Sequence, residues 1–362
     1  MKKSTFLIGV FAASMASSAL AADMGSNGGH ALPLGVAAQA NLGSAGLLTP
    51  YNSDEEMGNV QSRMGLSRDR IGAATGGGPT SGYKDSTFAV IIPLGAKVAL
   101  SENSYLNFSA SGTYTDGQPN HVVEDGFISK AEVEYMFFPN PDTLLSASLF
   151  VEKTALDLND DEAVIQRDGI GGRVDVVHKF SDHWGIAARM QYSFGESTFK
   201  HVLPFATVNH EQGDDRFYTQ VDLVGQYRSK DLGIVPEGWV LHPDVGGLFQ
   251  RNTLEATADS LGVVSSGVKG DTEDYSEVWA KLTLAKDAGP NTLIPSLTLG
   301  IEHELVDDLE DYLDESTFAI AGAGLSYQTF KGNRFDLLYS VHHGVNGNEI
   351  NQSVVGSVNL TF

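Results

Sequence analysis

Residues 353–362 read SVVGSVNLTF. Val354, Gly356, Val358, Leu360 and Phe362 share one parity, and Ser353, Ser357, Asn359 and Thr361 share the other, with Val355 the exception. Side chains alternate across a strand with a period of two, so the segment reads as a strand with one apolar and one polar face. A half-buried strand of a soluble antiparallel sheet has the same pattern. The rest of the chain has to choose between a sheet in water and a sheet in lipid.

The opening, MKKSTFLIGVFAASMASSALAADMG, orders charge, apolar run and small residues as a secretory signal peptide does. Lys2 and Lys3 are the positive start, Phe6 to Ala13 the apolar run, and Ala19-Leu20-Ala21 the cleavage pattern. Residues 1–21 are expected to be removed after export. The chain has no cysteine, so the exported protein has no disulfide framework. Beyond the opening, no run reaches the roughly 20 consecutive apolar residues of a transmembrane helix. A net charge of -23 argues against nucleic acid as a partner, since phosphates would repel it. Forty glycines and sparse proline suit many strands joined by turns.

From Thr87 onward the period of two recurs. Phe88, Val90, Ile92, Leu94, Ala96, Val98 and Leu100 are all even-numbered. Ala131, Val133, Tyr135 and Phe137 alternate with Lys130, Glu132 and Glu134. Val174 and Val176 alternate with Arg173 and Asp175, and Ala188 and Met190 with Arg189 and Gln191. With Leu106 to Tyr114, Leu145 to Val151 and the segments near 216–228, 239–251, 275–286, 293–305, 316–329, 334–344 and 351–362, thirteen candidate strands emerge. Their connections alternate in length. SEN, NPD, SDH, DLGIVPEG, KDAGPN and KGN are short. DGQPNHVVEDG, DLNDDEAVIQRDG, STFKHVLPFATVNHEQGDD, TLEATADSLGVVSSGVKGDTED and DDLEDYLDE are long. Short turns on one side and long loops on the other characterise outer-membrane barrels, whose lipid face is apolar and whose lumen is polar.

That reading assigns a lumen lining: Lys130, Glu132, Glu134, Arg173, Asp175, Arg189, Asp222, Arg228, Lys281, Glu302 and Asp336. Tyr135, Phe137, Phe138, Phe180, Trp184, Tyr227 and Phe335 sit near the short turns, where an interfacial aromatic girdle belongs. Val354, Val358, Leu360 and Phe362 look like the C-terminal signal that the barrel assembly machinery of Gram-negative bacteria reads. The closing stretch GAGLSYQTFKGNRFDLLYSVHHGVNGNEINQSVVGSVNLTF, residues 322–362, resembles the last hairpins of autotransporter β-domains. The resemblance implies an all-β, closed antiparallel transmembrane barrel of twelve strands with an N-terminal segment threaded through the pore. A layout resemblance to the long-chain fatty-acid transporter family, with its N-terminal hatch, implies fourteen. Parity reasoning leaves the same two counts: chain ends that both lie in the periplasm require an even number of strands.

Three segments are therefore expected: a signal peptide at 1–21, a linker or plug at 22–85 with a short helix near Ser53–Met64, and a barrel at 86–362. The helix rests on Ser53 and Glu56 at capping-box spacing. No nucleophile motif, phosphate loop or metal spacing stands out, so neither an enzyme nor a cofactor is expected. Asp336 and His342 share a face, but six residues of strand separate them by about 20 Å. The acidic groups Asp157, Asp160, Asp161 and Glu162, and Asp307 to Glu315, lack the spacing and central glycine of a calcium loop. The expected partners are outer-membrane lipid, lipopolysaccharide and the assembly machinery. The expected functions are solute transport past an N-terminal plug or, alternatively, surface display by an autotransporter-like barrel with a very short passenger.

Overall fold

The computed structural model describes residues 85–117, 123–158, 163–203, 206–262, 272–307, 315–331, 333–347 and 349–362. The signal peptide, residues 22–84 and the helix expected near Ser53–Met64 lie outside the described residues.

Among the described residues fourteen strands carry the fold. They are β1 (Asp85–Ser101), β2 (Ser104–Gly117), β3 (Val123–Asn140), β4 (Thr143–Leu158), β5 (Ala163–Lys179), β6 (Trp184–Leu203) and β7 (Ala206–Gly225). There follow β8 (Tyr227–Arg228), β9 (Trp239–Leu254), β10 (Thr272–Lys286), β11 (Leu293–Asp307), β12 (Thr317–Gln328), β13 (Arg334–Gly344) and β14 (Glu349–Thr361). Each long strand pairs antiparallel with its sequence neighbour. β7 pairs with β9, and the two-residue β8 continues the β7 edge along β9. β14 then closes on β1 in parallel, with Val90 opposite Val354 and Leu94 opposite Val358. The Phe362 amide donates to the Lys97 carbonyl at 2.9 Å and finishes the seam.

The wall therefore has thirteen strands and one parallel pair, where an antiparallel barrel of twelve or fourteen was expected. The even count assumed that both chain ends lie on one side. A parallel closing pair removes that requirement. β1 runs toward the rim where β14 ends, the turn rim, so Asp85 starts at the opposite, tall rim.

The polarity of the barrel is inverted relative to a water-soluble one. Leu149 is 74% exposed and Leu299 67%, and Ile170, Phe194, Ile301 and Leu337 join them on the outside. Glu132, Glu134, Arg167, Asp214, Gln250 and Asn252 are buried inside. A continuous apolar exterior of this extent greatly exceeds the few hundred Å² that monomers in water tolerate. It is the surface of an outer-membrane-type barrel. Among the described residues no helix is long and apolar enough to cross a membrane, and the strands do the crossing.

Crossing takes about 9–11 residues of tilted strand. β6 and β7 have 20 residues each. On β6 the outward apolar run ends at Phe194, and Glu196, Thr198 and Lys200 continue on the same face. The upper half of this hairpin stands above the lipid. STFKHVLPFATVNHEQGDD, expected as a loop, is largely this paired extension, with Ser197 opposite Gln212 and Lys200 opposite Asn209. The opposite side of the barrel is low, since β12, β13 and β14 have 12, 11 and 13 residues. Residues beyond β9 cover the exposed edge of tall β7: the Glu255 amide donates to the Gly213 carbonyl at 2.9 Å and the Ser260 amide to that of Asn209 at 2.7 Å. An edge left bare would invite pairing with other chains.

Candidate functional site

The barrel interior is built from the inward parity of each strand, and three kinds of surface share it. Near the turn rim Tyr105, Met136, Phe138, Leu144, Val177 and Val224 form an apolar cluster, with Tyr105 and Phe138 edge-to-face at 5.9 Å. Phe138, expected in the outer girdle, is fully buried here. Adjacent residues of one strand cannot both face lipid, and Phe137 takes the outward position. Beside the seam, Val355 packs on Ile91 and Leu338. This explains the one apolar residue that broke the alternation of the terminal strand.

The second surface is an ion-pair network on β3 to β7. Arg173 is its centre. Its guanidinium reaches Glu132 at 2.7 Å, Glu134 at 3.2 Å and Asp175 at 2.9 Å. Arg189 donates to both Asp175 oxygens, at 2.8 and 3.2 Å. Lys130 pairs with Glu132 at 3.1 Å, donates to Gln191 and lies over the Phe150 ring. Asn107 donates to Glu134 at 3.0 Å. Closer to the tall rim Arg167, 1% exposed, pairs with Glu152 and Asp214 and donates to Ser193 at 3.0 Å. Gly169 and Gly195 flank that guanidinium, and a Cβ at either would overlap it. Arg216 completes the set on Asp214 at 3.0 Å. Desolvation of this many charges is tolerable because each is paired and hydrogen-bonded.

The third surface lies on β7 and β9 to β11. The hydrophobic cluster of Tyr218, Leu248, Tyr275 and Trp279 sits among carboxylates. Glu277 and Glu304 are direct cross-strand partners. The Tyr275 hydroxyl lies 2.6 Å from Glu277 and 3.0 Å from Glu304. Glu302 holds His342 of β13, with Oε1 and Nδ1 2.8 Å apart. Asp222 accepts from Gln220 at 2.9 Å, and Lys281 lies over the Trp279 ring at 4.8 Å. Trp279 lies across Gly246, where a Cβ would overlap both its ring and Asp222.

Of the residues assigned from sequence to the lumen, Lys130, Glu132, Glu134, Arg173, Asp175 and Arg189 meet in one network. Asp222, Lys281 and Glu302 belong to the acidic face. Asp336 stands apart near the turn rim, accepting from Arg334, Ser326 and Ser357. Arg228 is corrected. It is half-exposed at the turn rim, paired with Asp287 at 2.7 Å, because the regular alternation of β7 ends at Gly225. Asp336 and His342 make no dyad, and the partner of His342 is Glu302 on β11. Glu152, Arg167, Asp214, Arg216, Asp244, Glu277 and Glu304 had no place in the sequence assignment. Glu277 and Glu304 were marked by parity, since they share it with Lys281 and Glu302. Arg167 and Asp214 lay in stretches read as loops. Of the two acidic groups, Glu315 is buried and accepts from the Asn346 amide at 3.0 Å. Asp160, Asp161, Glu162, Asp308, Glu310, Asp311 and Asp314 lie outside the described residues. Among the described residues no group of three or more His, Asp or Glu is placed to hold a metal ion.

No protein-family model matches the chain, and no curated protein matches it. Among solved structures it is similar to the translocator domain of the autotransporter NalP from Neisseria meningitidis. The TM-score is 0.47 at 15% identity, over 80% of this chain and 91% of that one. The β domain of the Bordetella autotransporter BrkA gives 0.49 at 13% identity, over 64% of this chain and 88% of that one. The copper transporter OprC gives 0.34 at 12% identity, over 73% of this chain and 45% of that one.

Proposed function

We propose that this chain is an outer-membrane transport barrel that passes small solutes through a charged interior, and that residues 22–71 sit in that interior and restrict passage. The observation that carries the reading is the polar, charged inner wall, with Glu132, Glu134, Arg173, Glu277 and Glu302 buried inside the barrel. An eight-stranded barrel is just filled by its own side chains, and thirteen strands enclose a wider space. Wall side chains alone leave such a space wet, which suits the passage of small solutes, and its charged lining suits a charged segment of the chain as a restriction. Assembly through the terminal strand belongs to the same proposal.

Single-channel conductance of the mature protein in planar bilayers tests it. Removing residues 22–71 should raise conductance severalfold while the barrel still folds, as judged by heat-modifiable migration. A folded truncation with unchanged conductance overturns the plug.

One observation favours a second reading, surface display. β1 starts at the tall rim, so whatever precedes Asp85 is joined to the barrel there, opposite the rim that carries Phe362. An epitope inserted near residue 45 separates the two. Protease added to intact cells should remove it if the segment is displayed and should spare it if the segment lies inside.

A further inference from the structure

We infer that the wall of this barrel opens laterally at the β1–β14 seam, as a flap that runs from the turn rim up to Pro93. The opening follows from the pairing of the wall and does not depend on where the N-terminal segment lies. One rung of the seam is missing. β1 and β14 keep a single register from Asp85 opposite Glu349 to Lys97 opposite Thr361, yet Ile92 and Pro93 form no pair with Gly356 and Ser357. In a parallel ladder a residue turns its N–H and its C=O to the same neighbour, and successive residues alternate between neighbours. The Phe362 amide donates to the Lys97 carbonyl, so Lys97 turns to β14. Pro93 has the same parity and turns to β14 as well. Proline has no N–H, so the Gly356 carbonyl receives no donor from β1. Both absent pairs depend on that one bond.

The gap lies at lipid depth. Ile92, 48% exposed, and Leu94 flank Pro93 on the apolar outer face of β1. Hydrocarbon offers a bare carbonyl no hydrogen bond. Gly356 has the outward parity of Val354 and Val358, and a Cβ there would meet nothing within 4 Å, so no side chain bridges the gap from outside. The two sides of the gap are held unequally. Toward the tall rim seven pairs hold the seam, and Ile91, Val355 and Leu338 pack over it from inside. Toward the turn rim four pairs hold it. There the β13–β14 ladder ends at Arg334 opposite Asn359, so the wall pairing of Leu360 to Phe362 is with β1. The last rung is long, with the Ala99 amide 3.5 Å from the Phe362 carbonyl.

The turn-rim segment is thus bounded by a missing rung at one end and a stretched one at the other. Closed, the seam gives the Gly356 carbonyl no donor. Open, water from the interior supplies one. The proline therefore raises the closed state relative to the open one, in a pair that is already of the weaker, parallel kind. The apolar cluster beside the gap keeps the tall-rim segment shut, which makes Pro93 the hinge of the flap.

Nitroxide pairs across the seam test this in the full mature protein, and because the chain lacks cysteine the labels go to the introduced thiols alone. Ala96→Cys with Leu360→Cys reports the turn-rim segment, and Val90→Cys with Val354→Cys the tall-rim segment, each pair being directly opposed. Leu94→Cys with Val358→Cys replaces the first pair if it does not reach the heat-modifiable form. In bilayers the Val90–Val354 pair should show complete dipolar broadening, and the Ala96–Leu360 pair should show an additional separated population. Pro93→Ala, which restores the N–H, should shrink that population severalfold, and Pro93→Val serves if the alanine variant does not fold. A fully broadened Ala96–Leu360 pair overturns the inference. So does a separated population that survives the restored N–H unchanged. Equal separation of both pairs overturns it too, because the wall would then part along its whole seam and Pro93 would be no hinge.

Discussion

At the scale of single residues, Arg173 is the side chain on which most of the interior depends. It sits between Glu132, Glu134 and Asp175, all buried. Removing one partner of a buried ion pair leaves an uncompensated charge, which costs about 3–5 kcal/mol. Arg173→Met leaves Glu134 with Asn107 as its remaining donor and thins the contacts of the other two. Urea unfolding in lipid should show a loss of that size. Lys153→Met is the control. Its pair with Asp168 has side chains 68% and 70% exposed, and exposed pairs contribute about 0–1 kcal/mol. Equal effects of the two substitutions would contradict the buried network. The glycines beside Arg167 work at the same scale: without a Cβ, Gly169 and Gly195 leave room for a guanidinium against the wall.

At the scale of the strand, β3 shows how alternation becomes function. Val133 is 45% exposed on the outside and Glu134 6% exposed on the inside, one residue apart. Near mid-membrane Val133→Arg should cost about 2–4 kcal/mol, the depth-dependent penalty for a charge on the lipid face. Spin labels at the two positions should divide between a lipid-soluble quencher at Val133 and a water-soluble one at Glu134. Equal accessibility would reject the register. The tall β6–β7 hairpin shows where alternation stops being informative. Above Phe194 both faces meet polar surroundings, so the period-two signal fades although the strand continues. Apolar alternation reports contact with lipid, and strand pairing extends beyond it. Much of what reads as a long loop in the sequence is therefore strand.

At the scale of the whole molecule the seam is the decisive feature. Parallel pairs are slightly less stable per residue than antiparallel ones, and closure here depends on one, running from Asp85 opposite Glu349 to Lys97 opposite Thr361. Phe362 is its last link, with its amide on the Lys97 carbonyl. Deleting Phe362 should reduce the amount of heat-modifiable barrel in the outer membrane and leave aggregate or fragments in the periplasm. Wild-type amounts from the deletion would show that neither closure nor assembly needs it.

The sequence alone determined that the chain is a sheet with an apolar and a charged face, and which residues lie on which. Val133, Glu134, Leu360 and Phe362 are placed by parity, because alternation is a local consequence of strand geometry. It also carried the count, thirteen candidate strands, which the assumption of an even barrel then set aside. The tertiary structure decided the rest. It set β1 against β14 in parallel, drew Arg173 onto three carboxylates from β3 and β5, joined His342 to Glu302 across β12, and turned Val355 inward onto Ile91. Each of these depends on register between strands far apart in sequence. Register is fixed by closure of the whole barrel, which no local pattern records.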